Sequence, residues 1–240
     1  SPDLVVITDA AGNFRFQAPT PLPDGFQVLR AIVVGDADAP PVPGLSRQLE
    51  INFRVDTTNP NIVAVNPPPG SFINTFNQVV FNVVDPVLPS SASSPLAVPT
   101  SYVQSALDPA SVVNVSNYSL IRVDPNTGLP STNPADNFSQ QILAASFLPG
   151  ANRPSSTAPF TGQIFLKIGS NVPAGKYQLS VLTASPTNSK IGVNDAAGNP
   201  IDGDTSTPGL QNFTVTYDVQ PTPVFITGVT TVSPDPTQPG

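Results

Sequence analysis

Asp56-Thr57-Thr58-Asn59-Pro60 cuts a β-rich stretch in two, and this break constrains the fold more than any other feature. Before it, Ile51, Phe53 and Val55 alternate with Asn52, Arg54 and Asp56, the period-2 pattern of a strand with one buried face. Pro60 has no N–H for a ladder, and it pushes Asn59 towards an extended backbone. Ile62, Val63 and Val65 then resume a strand, which Pro67-Pro68-Pro69-Gly70 stops. The stretch therefore predicts a short, stiff seam between two all-β modules.

Composition supports that reading. Charged residues make up only 10% of the chain and 31 residues are Pro, so helix interiors are disfavoured and loops, edges and seams are expected. Acidity comes almost wholly from Asp, a turn and cap residue, with Glu50 the only Glu. The formal net charge of −7 argues against a nucleic-acid backbone as partner. No apolar run reaches membrane-spanning length, so no membrane insertion is expected. Cys, Met, His and Trp are all absent. The missing initiator Met leads us to expect a processed product or a segment of something longer.

Residues 1–58 read as the C-terminal part of a module. Strands are predicted at Leu4–Thr8, Phe14–Gln17, Phe26–Val34 and Leu45–Val55, fewer than the roughly seven of an immunoglobulin-like sandwich. Residues 59–218 supply a fuller set, at Ile62–Val65, Gln78–Val84, Ser119–Val123, Gln140–Phe147, Gly162–Ile168, Gly175–Leu182 and Asn212–Tyr217. Long insertions are expected at Asp85–Val98 and Pro125–Asn137, and a single helical turn at Asp108-Pro109-Ala110-Ser111-Val112. Residues 219–240 read as a Pro-rich linker or the first strand of a following domain.

The first part resembles the bacterial Ig-like repeats of secreted and surface-anchored proteins. Asp9-Ala10-Ala11-Gly12-Asn13-Phe14, Leu22-Pro23-Asp24-Gly25 and Val55-Asp56-Thr57-Thr58-Asn59-Pro60 carry the resemblance. The second part is similar to a related type through Leu107–Val112, Val172–Tyr177 and Asn194–Gly203. The resemblance implies tandem Ig-like Greek-key β-sandwiches, the first incomplete at its N-terminus. It also implies a secreted, extracellular location at a bacterial cell surface, and a structural or adhesive role without shared catalytic residues.

Asp-Ala-Ala-Gly-Asn occurs twice, at 9–13 and 195–199, and reads first as a β-turn. Around the second copy, Asn194, Asp195, Asn199, Asp202 and Asp204 form a dense oxygen cluster, the candidate Ca²⁺ ligands of this chain. Enzymatic activity is not expected. Without His or Cys the usual base-and-nucleophile pairs are unavailable, and Asp202 with Asp204 is more simply a polar turn than a glycosidase pair. Lys167, ahead of Lys176 and Lys190, is the best-placed lysine for an isopeptide staple, against the simpler reading of an outward-facing side chain. Four N-x-Ser/Thr sequons, at Asn114, Asn117, Asn137 and Asn212, occur at about chance frequency.

The expected function is a non-catalytic spacer, stalk, or lattice or filament component. Its partners would be neighbouring Ig-like domains of the same or adjacent chains, with self-assembly by strand addition at the incomplete module. The alternative is an adhesin or carbohydrate-binding module using the loops at 85–105 and 124–137.

Overall fold

The computed structural model describes residues 6–7, 9–11, 13–32, 48–74, 76–86, 106–150, 159–183, 192–206 and 208–220. Among these residues, ten strands arrange into three sheets. β1 (Gly25–Ile32) and β2 (Gln48–Val55) pair antiparallel as a two-stranded sheet, with Leu29 opposite Ile51 and Gln27 opposite Phe53. The other eight strands form two four-stranded sheets. One has the order β3 (Asn61–Asn66), β5 (Gln78–Asp85), β8 (Phe160–Ile168), β7 (Ile142–Pro149). The other runs β4 (Phe72–Ile73), β10 (Phe213–Val219), β9 (Gly175–Val181), β6 (Tyr118–Arg122). Every pairing is antiparallel except β4 with β10.

The two larger sheets share one core because each inner face carries the alternation that its sequence prescribes. Val79, Phe81 and Val83 of β5 and Ile164, Leu166 and Ile168 of β8 face Leu120 of β6, Tyr177, Leu179 and Val181 of β9, and Val215 and Tyr217 of β10. Phe81 meets Phe213 edge-on at 5.8 Å between ring centroids, and Phe76 lies 5.2 Å from Tyr217. Each such pair adds on the order of 0.5–1.5 kcal/mol to simple area burial. Lys167 sits between Leu166 and Ile168 on the opposite, exposed face.

Three tyrosines combine burial with a hydroxyl donated to a loop carbonyl. Tyr118 bonds Val112 O at 2.8 Å, Tyr177 bonds Pro173 O at 2.9 Å and Tyr217 bonds Pro67 O at 2.8 Å. In each case the ring fills the core and the hydroxyl pins an incoming segment. The helical turn expected near Asp108 is α1 (Pro109–Val113). Asp108 caps it by accepting from Ala110 N and Ser111 N at 3.1 and 3.2 Å, and Pro109 opens the turn where no N–H is needed.

The strands expected within residues 59–218 all form, with ends shifted by one or two residues. β4 is additional: a two-residue strand leaves no periodic signal. Residues 14–17 are not a strand, and Phe14 and Phe16 are exposed, as are Val6 and Ile7. Alternation over four residues does not make a strand without a partner to pair with. Residues 221–240, where a linker or following strand is expected, most of the 85–105 loop, Lys190 and residues 1–5 lie outside the described residues. Among the described residues, no helix is long and apolar enough to cross a membrane.

Candidate functional site: an acidic seam

The Asp56–Pro60 break joins the two-stranded sheet to the larger fold through a hydrogen-bonded seam. As β2 ends, Asp56 Oδ1 accepts from Thr58 N at 3.2 Å and Thr58 Oγ at 2.9 Å, turning the chain. Thr57 Oγ donates to the Asp24 carboxylate at 2.9 Å, tying this turn to the segment that enters β1. Asn59 Nδ2 then donates to Pro200 O at 2.8 Å, and Asp202 N donates to Pro60 O at 2.9 Å. A parallel bridge between Asn61 and Asp202 continues the contact into β3.

The loop that receives this segment is built by the second Asp-Ala-Ala-Gly-Asn. Asp195 Oδ1 accepts from Ala197 N and Asn199 N, each at 2.8 Å, and Asp195 N donates to Asn199 O at 2.9 Å. Asn199 Nδ2 has two hydrogens and uses both, one to Asp195 Oδ2 at 2.9 Å and one to Asp56 O at 3.0 Å. Asn199 thus bonds a residue 143 positions away. The first copy makes the same turn. Asp9 Oδ1 accepts from Ala11 N at 2.9 Å and Asn13 N at 2.8 Å, Asn13 Nδ2 reaches Asp9 Oδ2 at 3.3 Å, and Asp9 N donates to Asn13 O. The motif therefore specifies the turn, and the surroundings decide whether it is used. The first copy is exposed, whereas Asp195 is only 2% exposed.

At the seam three carboxylates converge. Asp56 from the end of β2, Asp85 from the end of β5 and Asp195 from the loop each place an oxygen within 4.8 Å of the others. Asp85 is as buried as Asp195. Burial pushes the Asp195 carboxyl above its ordinary value; the hydrogen bonds from Asn199 and Ala197 pull it down, and the neighbouring Asp56 charge pushes it up. Like charges this close repel, and hydrogen bonds such as those from Thr58, Ala197 and Asn199 offset that repulsion, as a cation would. The donors are all hard oxygens, which suit Ca²⁺ and not a soft or nitrogen-seeking metal.

The five expected ligands are thus divided. Asp195 is central, Asn199 orients it, and Asn194 Nδ2 donates to Asp195 O at 2.9 Å. Asp202 and Asp204 stand outside the three-carboxylate group. Asp202 Oδ1 accepts from Asp204 N at 3.2 Å, and Asp204 Oδ1 from Ser206 N at 3.0 Å, so both serve their own turn. The glycine between them is pressed on backbone: a Cβ at Gly203 would lie 2.1 Å from Phe213 N. Asp56 and Asp85 escaped the sequence reading because density in sequence was its only signal. Each ends a strand and is followed by a stop, Thr-Thr-Asn-Pro or Pro, and that shared feature was the available clue.

Comparison with protein-family models, with curated proteins and with solved structures finds no match to this chain.

Proposed function

We propose that this chain is a non-catalytic structural unit of a secreted bacterial cell-surface protein, a spacer or stalk element of Ig-like construction. The observation that carries the reading is the seam. Two β units are joined by a short segment in which Asn199 Nδ2 reaches across the join to Asp56 O, and three carboxylates are drawn from both sides. A join of this kind transmits force and limits bending, as a spacer requires.

Sheet order supports the Ig-like assignment. Taking β3, β5, β6, β7, β8, β9 and β10 as strands A to G, the sheets read A-B-E-D and G-F-C, the arrangement of a constant-type Ig sandwich. The Tyr177 hydroxyl, bonded to a carbonyl four residues upstream at the entry to β9, has the form of the tyrosine corner of such folds. Calcium belongs to the same proposal, as the cation of Asp56, Asp85 and Asp195. Small-angle scattering of the intact chain with and without Ca²⁺ tests it. A rigid, elongated particle that loosens on chelation supports the reading, and independent tumbling of the two β units under both conditions removes it.

A further inference from the structure

The pole of the larger fold opposite the seam carries a groove of a different character. β6 ends at Arg122, and the chain then folds into a tight hairpin held by Asp124 N to Leu129 O at 2.9 Å, Gly128 N to Asp124 O at 2.8 Å and Ser131 N to Arg122 O at 2.8 Å. This hairpin walls one side of an open groove of about 520 Å³. Arg122, Asp124, Ser131, Thr132, Asn133 and Asp136 supply its polar lining. A smaller hollow of about 260 Å³ on the other flank shares Arg122 and Asp124 and adds Lys176.

Arg122 is the informative side chain. Its guanidinium rests on Gly175, where a Cβ would lie 2.8 Å from Nε, and it donates from Nη2 to Ala174 O at 2.8 Å. That contact fixes the fork and leaves further N–H donors. Among the described residues the one ion pair is Arg30 with Glu50, so Arg122 has no carboxylate partner within 4 Å. A planar, pre-oriented guanidinium of this kind suits a carboxylate held bidentately. Around it stand hydroxyl-matching groups. Asp136 Oδ2 accepts from Ser131 Oγ at 2.7 Å and Asp124 Oδ1 from Asn126 N at 2.8 Å, and each carboxylate retains its other oxygen. No aromatic side chain lines the groove, so an apolar peptide side chain finds little to bury against.

We propose that this groove binds the uronic acid unit of an acidic polysaccharide, with the sugar carboxylate on Arg122 and ring hydroxyls on Asp124, Asn133 and Asp136. The proposal is independent of the seam.

The test is an amide chemical-shift titration of the full chain with trigalacturonate and, in parallel, with a neutral galactose trisaccharide. Saturable shifts at 122–136 with the acidic probe are expected, with at least tenfold weaker binding of the neutral one. Arg122→Gln should weaken the acidic probe at least tenfold. Thr132→Trp, at an exposed groove position, should block it while leaving Arg122 in place, which covers the case of a poorly folded R122Q. No saturable shift, equal binding of both sugars, or undiminished binding by both variants overturns the proposal.

Discussion

Gly203 shows how one residue decides between two readings of the same sequence. Asp202-Gly203-Asp204 looks like a pair of carboxylates offered to a ligand, but the structure makes the glycine the critical member. Gly203 N donates to Gln211 O at 2.8 Å, and the Cα faces the backbone of residues 212 and 213 with no room for a methyl group. Gly203→Ala should therefore cost about 1–3 kcal/mol, the range of core overpacking, by displacing the entry to β10. Asp202→Asn and Asp204→Asn should cost much less, and urea denaturation of the three variants checks this ordering. Asn117 is similarly decisive. It is 1% exposed, donates to Ser111 O at 2.7 Å and Gly192 O at 3.0 Å, and accepts from Gly192 N at 2.8 Å. As a sequon it is closed to modification in the folded chain. Asn117→Ala orphans buried backbone groups and should cost at least about 2 kcal/mol, again read by denaturation. Neither role was legible in the sequence, because each depends on what a distant segment brings alongside.

At the scale of elements the sequence was far more informative, and the reason is periodicity. β8 alternates buried and solvent-facing side chains along its length, so Ile164, Leu166 and Ile168 announced their face, and Asp108-Pro109 announced α1. Where periodicity was short it misled: Phe14 and Phe16 alternate but pair with nothing, and β4 forms from two residues that any loop might hold. The buried tyrosines add a prediction here, because each joins an element to the segment that precedes it. Burial raises the pKa of Tyr118, Tyr177 and Tyr217 above the ordinary 10.0. The folded state thus keeps these protons after the unfolded state has lost them. Stability is full below pH about 10 and falls as pH rises further, by about 1.4 kcal/mol per pH unit for each of Tyr118 and Tyr217. Denaturation midpoints measured on either side of pH 10 should show that fall. Tyr118→Phe and Tyr217→Phe should each flatten it, at the expense of one hydrogen bond; an unchanged slope in the double variant would assign the alkaline loss to other groups.

For the whole molecule, the seam is where segments far apart in the chain meet. The break at Asp56–Pro60 is legible in the sequence, because Pro60 separates two alternating runs. What it closes on was not visible, because Asp85 and Asp195 reach it only through the strand order of the larger sheets. Three carboxylates within 4.8 Å repel one another whenever all are ionised, so the seam should be the most cation-sensitive part of the chain. Metal-stripped protein is expected to melt at a lower temperature, and Ca²⁺ at a hundred times its dissociation constant should restore about 2.7 kcal/mol. Asp85→Asn removes one ligand charge and also one source of repulsion. It should therefore abolish the calcium response while leaving the metal-free stability within about 1 kcal/mol of the parent, since the lost repulsion offsets the lost hydrogen bonding. Mg²⁺ should substitute poorly, because its smaller shell demands near-octahedral geometry that ligands from three separate segments do not readily supply. Calorimetry of parent and variant, each with chelator, Mg²⁺ and Ca²⁺, distinguishes the outcomes. A melting temperature indifferent to Ca²⁺ in the parent would remove the calcium reading, and the seam would then tighten as pH falls through the raised pKa of Asp195.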